Sequence, residues 1–391
     1  MKICMLAYTF YESDNRVMRY AETLAQRGDI VDVIALRRYG QSSFETIRGV
    51  RVFRIQERKI DEKGRLSYLG RILKFLIRSA LVVSKNHIHS QYDIIHVHSV
   101  PDFEVFAALI PKLFGARVIL DIHDIVPEFY ANKFKTSHSS LLYKLLVLAE
   151  KLSVQFSDHV IISNHIWKDA LVARSASNGK CTVILNYPDG TKFYRREKRK
   201  FGDKFTLIYP GTLNWHQGID IAVKAIALVK DAIPNIEFNI YGEGPSKEFL
   251  GNLIVELELQ HNVFLKEFVP IEHIPAIMAE ADVGIIPKRN DSFGGEAFST
   301  KTLEFMALGV PIIVSRTKID SYYFNDSVVR FFEPENVEDL ANAILEMANN
   351  KELRERLAQN ALKFVEKYRW EDNKYIYLDL VDSLANKNHS D

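Results

Sequence analysis

The segment 293–311, FGGEAFSTKTLEFMALGVP, constrains this chain more than any other stretch of its sequence. A pair of glycines precedes Glu296, and Glu304 follows after seven further residues. Apolar residues at helical spacing come next, then a Gly-x-Pro sequence that can end a helix. The apolar run 310–314 predicts a strand. The segment is therefore predicted to fold as loop, helix and strand, with Glu296 on the loop and Glu304 in the first helical turn.

The start of this predicted helix is suited to binding an anion. Ser299 or Thr300 can cap the helix, and the backbone N–H groups and helix dipole at that point favour phosphate oxygens. Two carboxylates beside such a site favour a ligand with both phosphates and hydroxyl groups, which is the chemistry of a sugar nucleotide. The alternative is a solvated helix with two ordinary surface glutamates, because glutamate is mostly exposed.

Short apolar strands alternate with helices along the chain, which predicts an α/β architecture with parallel sheets. The basic segment 189–204 has no apolar periodicity and is predicted to be an interdomain linker; the alternation restarts at Phe205. The length of 391 residues suits two domains. Strands are predicted at 2–8, 31–36, 50–55, 93–98, 116–120, 159–163, 182–186, 205–209, 236–241, 263–266, 283–286, 310–314 and 328–332. Helices are predicted at 17–27, 63–90, 102–114, 141–156, 219–230, 274–279, 337–349 and 351–365.

The composition argues against several classes of protein. The 51 basic and 50 acidic residues nearly cancel, so the charge does not demand nucleic acid as a partner. Cys4 and Cys181 lie in predicted strands and are expected to be buried, reduced thiols. The N-terminal apolar run is too short for a signal peptide, and no uncharged apolar stretch reaches ~18 residues. We therefore expect a cytoplasmic protein without a transmembrane helix, and, since metal-ligand motifs are missing from the sequence, no metal site.

The loop after the first strand reads ESDNR rather than G-x-G-x-x-G, so a dinucleotide cofactor loses support and no cofactor is expected. In a doubly wound domain this loop follows the carboxyl end of a strand, where ligands bind. Acceptor contacts there would come from Asp14, Asn15 and Arg16. A plain surface loop is the alternative interpretation.

The segment 63–90 is predicted to be a long helix with an apolar stripe and basic edges. Two interpretations stay open: a packed helix whose polar face is cationic, and a helix that lies on a membrane surface. The stripe comprises Leu66, Leu69, Leu73, Leu76, Ile77 and Leu81, and the basic edges comprise Arg65, Arg71, Lys74, Arg78 and Lys85.

The two glutamates and the sequence LEFMALGVPIIVS resemble the signature of the retaining glycosyltransferases of family 4, where a similar ending reads LEAMACGVPVV. The resemblance extends over nearly the whole chain and is more specific in its second half. It implies the GT-B fold, in which two Rossmann-like, doubly wound parallel-sheet domains face each other across a cleft. The implied domains are an acceptor-side domain, 1–195, joined by a returning C-terminal helix, 371–391, and a donor-binding domain, 203–370.

In that family the first glutamate lies against the donor sugar, the second holds the ribose hydroxyls, and the backbone between them meets the sugar and the diphosphate. The resemblance implies these roles for Glu296, Glu304 and the segment 297–301. The family often has Gly-Phe-Gly after the first glutamate, and without those glycines close approach of the backbone is less free here. The residues of the segment are Ala297, Phe298, Ser299, Thr300 and Lys301.

The sequence YPGTLNWHQGID, 209–220, resembles the family's first loop of the donor domain but lacks its cations. The family has an arginine and a lysine that clamp the diphosphate where this chain has Thr212 and Gln217, next to Gly211. A diphosphate leaving group develops negative charge and needs electrostatic stabilisation. Lys301 is the favoured replacement, because it is predicted at the helix start. The other candidates are Arg16, His216, Lys288 and Arg289.

Other positions are carried over from shorter similarities. The sequence DIHD resembles a His-Asp pair of the family, which implies that His123 contacts the donor sugar; Glu128 then follows on the acceptor side, with Asn15 and Arg16. The sequence YGEGP resembles a Gly-x-Gly-Pro turn near the nucleotide, and EFVP resembles the loop that packs against the base. The positions implied by these two turns are Gly242, Gly244 and Val269.

Residues and resemblance together predict a metal-independent, retaining glycosyltransferase in the cytoplasm, in contact with the inner face of the membrane if 63–90 binds lipid. It would move a hexose-type sugar from a nucleotide diphosphate sugar to a glycan or lipid-linked glycan during polysaccharide or glycoconjugate synthesis. We expect front-face displacement, in which the leaving phosphate takes the acceptor proton and Glu296 is not a nucleophile. A sugar-nucleotide epimerase and a non-catalytic GT-B binding subunit remain alternatives, the latter favoured by Thr212 and Gln217.

Overall fold

The chain folds into two compact units, each with its own sheet. The first comprises Met1–Asn186 and the C-terminal segment from Lys374, and the second comprises Tyr187–Asn373. The structure, a computed structural model, describes residues 1–58, 65–134, 137, 139–196, 203–267, 269–270 and 272–386.

The sheet of the first unit explains the continuous apolar runs in the sequence, since its central strands are buried on both faces. The α/β class predicted from the alternation is confirmed. The described strands are β1 (Lys2–Ala7), β2 (Ile30–Arg37), β3 (Phe44–Ile47), β4 (Val50–Glu57), β5 (Ile94–His98), β6 (Arg117–Ile122), β7 (His159–Ile162) and β8 (Cys181–Val183).

The strand order determines which helices share a face of this sheet. Within the described residues the order is β3-β4-β2-β1-β5-β6-β7-β8, and every pair is parallel except the β3–β4 hairpin. From β4 to β8 each successive strand is placed closer to the β8 edge of the sheet, whereas the step from β1 to β2 goes toward the β3 edge. Right-handed crossovers put connections of one direction on one face, so α1 (Asn15–Arg27) lies opposite the rest. The shared face carries α2 (Arg65–His89), a 3-10 helix (Asp102–Ala108) that leads into α3 (Leu109–Leu113), α4 (Val126–Phe134), α5 (Leu141–Phe156) and α6 (His165–Arg174).

The second unit has a fully parallel sheet, whose apolar strands and helices enclose a core that includes Leu207, Phe238 and Ile285. Its described strands are β9 (Phe205–Pro210), β10 (Ile236–Tyr241), β11 (Val263–Lys266), β12 (Val283–Ile286), β13 (Ile312–Ser315) and β14 (Arg330–Phe332), in the order β11-β10-β9-β12-β13-β14. Its described helices are α7 (Ile219–Val229), α8 (Lys247–Glu256), α9 (Ile274–Glu280), α10 (Thr300–Leu308), α11 (Lys318–Tyr323), α12 (Val337–Asn349) and α13 (Lys351–Glu366).

The last helix, α14 (Trp370–Asn386), spans the division between the units, and its part from Lys374 belongs to the first unit. There the Tyr377 hydroxyl lies 2.9 Å from Nδ1 of His96. The division differs from the predicted boundaries because the segment after Asn186 packs into the second unit, where Phe193 joins the core. The predicted linker, 189–204, is therefore partly structural, and its residues 197–202 lie outside the described residues.

Strong local patterns predicted their elements residue for residue at β10, β11, β12, α5 and α12. Cys4 and Cys181 are buried and unpaired to each other, as predicted, and burial raises the pKa of both thiols. The sequence did not predict β3, α4, α6 or α11, which are short and carry mixed polar and apolar residues. The segment 102–114 was predicted as one helix and instead forms the 3-10 helix and α3.

The apolar stripe predicted on α2 faces outward. Leu69, Leu73, Ile77 and Leu81 are exposed, while a different row, including Phe75, is buried against the unit. Helix α2 is therefore packed against the unit, but the interpretation that these four residues form its core-facing stripe is wrong. Residues 63–64 and the side chains of Arg65 and Leu66 lie outside the described residues.

A buried carboxyl group lies beneath this helical layer. Glu104, in the 3-10 helix that packs against α2 and α5, is 1% exposed, and neither carboxyl oxygen has a hydrogen-bond partner among the described residues. Burial disfavours the charged form and raises its pKa from 4.5 to about 8. The contribution of Glu104 to the free energy of unfolding is therefore fully present below pH 4.5 and is lost as the pH rises through about 8, because unfolding then releases the proton that folding retains.

We predict that Glu104→Gln raises the free energy of unfolding above about pH 8 and has little effect below pH 4.5. The amide cannot ionise, and each unit of pKa shift corresponds to about 1.4 kcal/mol, so the rise of the pKa from 4.5 to about 8 corresponds to a gain of about 5 kcal/mol at alkaline pH. Urea unfolding at several pH values measures it, with the exposed Glu366→Gln as a control. Parallel pH profiles for wild type and Glu104→Gln would contradict the prediction.

Candidate active site

The central segment of the sequence forms a loop and helix after β12. Ser299 precedes the first residue of α10, its side chain makes no capping hydrogen bond, and Gly309 ends the helix with φ +72°. Glu304 is the fifth residue of the helix and lies in its second turn, so its predicted place in the first turn is wrong. The helix begins beside the loop that carries Glu296, as expected from the sequence.

The two glycines of the loop are needed because the backbone folds tightly onto itself. A Cβ at Gly294 would lie 2.9 Å from the Arg289 carbonyl oxygen, and one at Gly295 would lie 2.8 Å from the Asp291 carbonyl oxygen. The Asp291 carboxylate accepts hydrogen bonds from the N–H groups of Phe293 and Gly294, at 3.0 and 2.6 Å. The turn fixes the position from which Glu296 projects.

The Glu296 carboxylate and the Ala297 backbone carbonyl are each held by a lysine. Lys318, on α11, places Nζ 2.6 Å from Oε1 of Glu296. Lys288 is buried, donates to the Ala297 carbonyl at 2.8 Å and lies 2.8 Å from the buried Asp320 carboxylate. These contacts give the loop a defined shape and neutralise Lys288.

Arg289 is also engaged within the second unit. Its two terminal nitrogens donate to the two carboxylate oxygens of Asp220, at 3.1 and 2.9 Å. The guanidinium carbon lies 3.7 Å from the ring centroid of Trp215, which stacks over it. A bidentate pair of this kind is among the strong hydrogen-bonded interactions of proteins, so Arg289 is positioned here by Asp220 and Trp215.

Lys301 runs across the glycine after β9. A Cβ at Gly211 would lie 2.2 Å from Cε and 2.8 Å from Nζ of Lys301, so the lysine side chain occupies the space that any larger residue would need. Its ammonium lies 5.5 Å from the ring centroid of Tyr209. Burial lowers the pKa of Lys301, while Glu304 raises it and Lys288 lowers it further. The structure thus brings Lys301 to the loop that the resemblance associates with the diphosphate.

The loops after β9 and β10 approach each other so closely that only glycine fits. A Cβ at Gly242 would lie 1.8 Å from the Gly211 carbonyl oxygen, and one at Gly244 would lie 2.5 Å from that of Leu213. Backbone hydrogen bonds join the loops, from Gly211 N–H to the Tyr241 carbonyl at 2.8 Å and from Leu213 N–H to that of Glu243 at 2.9 Å. These glycines form a tight backbone floor.

The positions without the family's cations offer only neutral groups. The Tyr209 hydroxyl lies 3.1 Å from the Thr212 carbonyl oxygen and 3.0 Å from Oε1 of Gln217. His216 packs edge-on against Phe293, with ring centroids 5.4 Å apart, and burial lowers its pKa. Val269 is half-buried in the loop after β11, and its neighbour Phe268 lies outside the described residues.

The loops after β9, β10 and β12 follow carboxyl ends of parallel strands at the middle of the second sheet. Strand β9 pairs with β10 on one side and with β12 on the other. From β9 the chain builds outward through β10 and β11, and from β12 it builds in the opposite direction. The point between β9 and β12 is a topological switch point, where open α/β sheets bind ligands. Lys301 and Gly211 lie there.

The predicted residues of the first unit cluster around a buried carboxylate. Arg16 donates to both oxygens of Asp121, from Nε at 2.8 Å and from Nη2 at 2.7 Å, and its Nη1 donates to the Ile184 carbonyl and to Asn186. Nε2 of His123 lies 3.1 Å from the Asp121 carboxylate. Burial alone would raise the pKa of Asp121, but Arg16 and His123 hold it well below its ordinary value.

Asp121, His96 and His98 are close enough to form a candidate metal site, since their ligand atoms lie within 4.8 Å of one another. Arg16 already places a guanidinium on both oxygens of Asp121, so a divalent ion there would meet a fixed positive charge. Burial lowers the pKa of both histidines. The donor set fits a neutral histidine pair beside an ion pair better than a metal centre.

Two other acceptor-side candidates differ in their surroundings. Asn15 is exposed at the first position of α1, next to Asp14, whose carboxylate caps the helix by accepting from the N–H groups of Arg16 and Val17. Glu128 is held by Arg174, which contacts both of its oxygens and also those of Glu150. Glu128 thus ties α4 to α5 and α6.

Sequence reasoning missed Asp121, Asp320 and Tyr209 as parts of these sites. Asp121 is the last residue but one of the buried strand β6, two residues before His123, which is a signal that could have been used. Asp320 belongs to the unpredicted α11, and the packing of Tyr209 against Gln217 and Lys301 depends on tertiary structure.

Comparison with known proteins agrees with this geometry. The family model described as "Glycosyl transferases group 1" matches residues 190–364, and the one described as "Glycosyl transferase 4-like domain" matches residues 13–187. The two matches fall on the second and first units respectively and together span most of the chain. The chain belongs to the GT-B glycosyltransferases of this group 1 and 4-like type.

Curated relatives and solved structures are distant. An uncharacterized glycosyltransferase of Methanocaldococcus jannaschii is 25% identical over 90% of this chain and 89% of that protein. The alpha-D-kanosaminyltransferase of Streptomyces kanamyceticus is 22% identical over 75% of this chain and 78% of its own length. Sucrose-phosphate synthase from Thermosynechococcus elongatus superposes with a TM-score of 0.80 at 18% identity, covering 98% of this chain and 100% of that one. Anabaena HepE in complex with UDP-glucose superposes with a TM-score of 0.70 at 16% identity, covering 100% of this chain and 98% of that one. The structural likeness establishes the shared fold.

We predict that Asp121→Asn destabilises the first unit by about 3–5 kcal/mol, because it leaves the buried Arg16 guanidinium uncompensated. The double variant Arg16→Met, Asp121→Leu removes both charges and should regain much of that loss, since an apolar pair of similar volume can replace a buried ion pair. Urea unfolding of the three proteins measures the difference. Equal stability of wild type and Asp121→Asn would show that the ion pair does not hold this network.

Proposed function

We propose that the protein is a retaining glycosyltransferase that moves a hexose-type sugar from a nucleoside diphosphate sugar to a hydroxyl group of a glycan or lipid-linked glycan, in polysaccharide or glycoconjugate synthesis. The observation that carries the proposal is the meeting of Lys301, Gly211 and the start of α10 at the switch point of the second sheet. Glu296 and Glu304 flank that helix start within the segment matched by the group 1 family model.

The donor would bind with its phosphates at the start of α10. The N–H groups of the segment 298–300 and the Lys301 ammonium would meet the diphosphate, and Glu304 would hold the ribose hydroxyls. The Ala297 N–H, which the resemblance also assigned to the donor, instead donates to the Phe293 carbonyl at 2.8 Å. Glu296 and His123 are assigned to the sugar, and Val269 to the base. Gly242 and Gly244 leave the floor of the site without side chains. The relative HepE has been captured with UDP-glucose, which supports this class of donor.

Lys301 is the cation that we assign to the missing clamp. Lys288, Arg289 and Arg16 are each paired with a buried carboxylate, of Asp320, Asp220 and Asp121 respectively. The pKa of Lys301 is lowered by burial, and a diphosphate beside it would favour the charged form. Burial makes the charged ammonium unfavourable when no anion is beside it, and it also strengthens the attraction between the ammonium and a bound diphosphate. Burial of Lys301 would therefore favour donor binding.

The chemistry that we propose is front-face displacement. The bond from the anomeric carbon to the diphosphate oxygen breaks, the acceptor oxygen bonds to the same face, and the acceptor proton passes to the leaving phosphate. Lys301 and the backbone N–H groups would stabilise the charge that develops on the diphosphate. Glu296 is held 2.6 Å from Lys318 and is assigned to sugar binding rather than to nucleophilic attack. The acceptor side is assigned to Asn15, Arg16 and Glu128, of which the last two would act mainly by shaping the unit.

A non-catalytic binding subunit is the second candidate, because Thr212 and Gln217 are neutral where the family has its two cations. Proteins of Salmonella typhimurium and Escherichia coli that bear the name putative colanic acid biosynthesis glycosyltransferase are similar over 45% and 40% of this chain, and they support the catalytic proposal. Donor turnover by the purified chain alone separates the two.

We predict that the two glutamates have different functions. Glu304→Ala should weaken binding of the free nucleoside diphosphate by about 1.5–3 kcal/mol, the value of a hydrogen bond to a charged group. Glu296→Ala should leave that affinity near wild type and reduce turnover, because Glu296 is assigned to the sugar. Calorimetry with nucleoside diphosphate and a turnover assay measure the two effects.

Two controls accompany this experiment. Lys318→Met tests whether loss of the Lys318 contact alone explains the Glu296→Ala result, and the exposed Glu366→Ala should change neither quantity. An equal loss of nucleotide affinity in both glutamate variants would contradict the assigned division. A wild-type protein that binds nucleotide sugar without turnover would favour the binding subunit.

We predict that Lys301→Met lowers turnover by roughly 10²–10³, the scale seen when one oxyanion-stabilising donor is removed. Methionine keeps most of the apolar stem that packs on Gly211, so the fold should persist. The effect should fall on kcat more than on KM. The exposed Lys363→Met serves as the matched control, and near wild-type turnover by Lys301→Met would end the assignment.

A further inference from the structure

The outward stripe of α2 continues onto two neighbouring elements of the first unit. On α2, Leu73, Ile77 and Leu81 are 43%, 60% and 66% exposed. The 3-10 helix and α3 pack against α2, and α5 packs against the 3-10 helix. Helix α3 exposes Leu113 by 72%, and α5 exposes Leu145 by 53%, so all three elements present apolar side chains to solvent. We call the outward side of these elements the helical face.

The topology puts these side chains on one side of the unit. Helices α2, α3 and α5 connect strands that advance in the same direction across the sheet, and right-handed crossovers therefore place them on the same face. On α5 the exposed leucines recur at Leu141, Leu145, Leu148 and Leu152, which is one stripe of a helix, opposite the buried Glu150. Exposed apolar rows that share one face of a unit in this way indicate an interaction surface rather than scattered surface leucines.

The charges of the helical face have a single sign where they are exposed. The 25 residues of α2 include no aspartate or glutamate. The acidic residues of the 3-10 helix and α5 are Asp102, Glu104 and Glu150, and all three are buried. The exposed charged residues are instead basic: Lys74, Arg78 and Lys85 on α2, and Lys144 and Lys151 on α5. The whole chain is nearly neutral, with 51 basic and 50 acidic residues, so this separation is local.

The basic side chains lie beside the apolar stripes. At 100° per residue, Lys74 and Arg78 fall next to the row of Ile77 and Leu81, and Lys144 and Lys151 fall next to the leucine row of α5. An apolar stripe edged by lysine and arginine is typical of a helix that lies in the plane of a bilayer surface. No helix among the described residues is long and apolar enough to cross a bilayer.

We propose that the helical face, formed by α2, α3 and α5 together, docks on an anionic lipid bilayer. The leucines would enter the boundary between headgroups and acyl chains, and the lysines would contact anionic headgroups. A second copy of the chain fits this face less well, because two such faces would bring their lysines together. Docking would give the enzyme access to a lipid-linked acceptor, and only this consequence rests on the proposed function. The sequence suggested a membrane-surface helix for 63–90 alone, and the structure adds α3 and α5 to that surface.

The test is cosedimentation of the full-length protein, at low salt, with vesicles of phosphatidylcholine alone and of phosphatidylcholine with an equal part of phosphatidylglycerol. Wild type should bind the anionic vesicles and not the neutral ones. The triple variant Lys74→Gln, Lys144→Gln, Lys151→Gln should bind about a hundredfold more weakly, since each basic residue near such a surface contributes about fivefold. The matched control replaces the exposed lysines Lys224, Lys363 and Lys367 of the second unit by Gln and should bind like wild type.

A second pair of variants tests the apolar part. Leu81→Ser with Leu145→Ser should weaken binding at least tenfold, whereas Leu228→Ser with Val255→Ser, at residues 57% and 60% exposed in the second unit, should not. All of these residues are exposed in the folded protein, so the fold should survive, and unchanged urea unfolding checks this.

Three outcomes would overturn the proposal. They are no binding of wild type to anionic vesicles, equal binding to neutral and anionic vesicles, and self-association in analytical ultracentrifugation that Leu81→Ser with Leu145→Ser abolishes. The last would assign the face to a second copy. Affinity for nucleoside diphosphate, measured without vesicles, should be the same in all these variants. Vesicle binding without donor binding would refute the proposed function and leave the docking surface standing.

Discussion

The contact of Gly211 with Gly242 on one side and Lys301 on the other is the constraint on which the candidate donor site depends. The carbonyl oxygen of one glycine lies where the other would carry a Cβ, and the lysine stem fills the remaining space. Any side chain at these glycines would separate the loops after β9 and β10 and displace Lys301. Because three segments far apart in sequence meet here, the site is present only when the sheet has brought them together. The chemistry of the site is thus a consequence of strand order, with β9 between β10 and β12.

Electrostatic pairing decides which cations remain available near a ligand. Buried charges are costly unless they are paired, and the described structure pairs Arg16 with Asp121, Arg289 with Asp220 and Lys288 with Asp320. Each pair gives its unit a defined shape at the end of a strand. Lys301 differs from Arg16 in that its pKa is lowered, because burial outweighs the opposing influence of Glu304, whereas the carboxylate of Asp121 raises the pKa of Arg16. A diphosphate would supply the compensation that the other three cations receive from carboxylates.

The sequence could predict what is local and not what is tertiary. Strands such as Val283–Ile286 and helices such as Leu141–Phe156 were predicted residue for residue, because apolar runs and helical periodicity act over a few residues. The loop, helix and strand around Glu296 and Glu304 followed from glycine, capping and proline signals. The partner of Arg289, however, lies 69 residues away at Asp220, and no local pattern indicates it. The short helix α11, which carries Lys318 and Asp320, also had too little periodicity to be recognised.

Helix α2 shows why periodicity cannot decide which of two apolar rows is buried. Its sequence has one row through Leu73, Ile77 and Leu81 and another that includes Ile72, Phe75 and Val83, and the fold buries only the second. Burial of leucine contributes roughly 25 cal/mol per Å² of area removed from water, so the outward row, with exposures of 43%, 60% and 66%, leaves much of this free energy ungained on folding. This free energy is still available when the face meets another apolar phase. The acidic residues of the 3-10 helix and α5 are buried while their lysines are exposed, so the phase that gains most is one that is apolar inside and anionic at its surface.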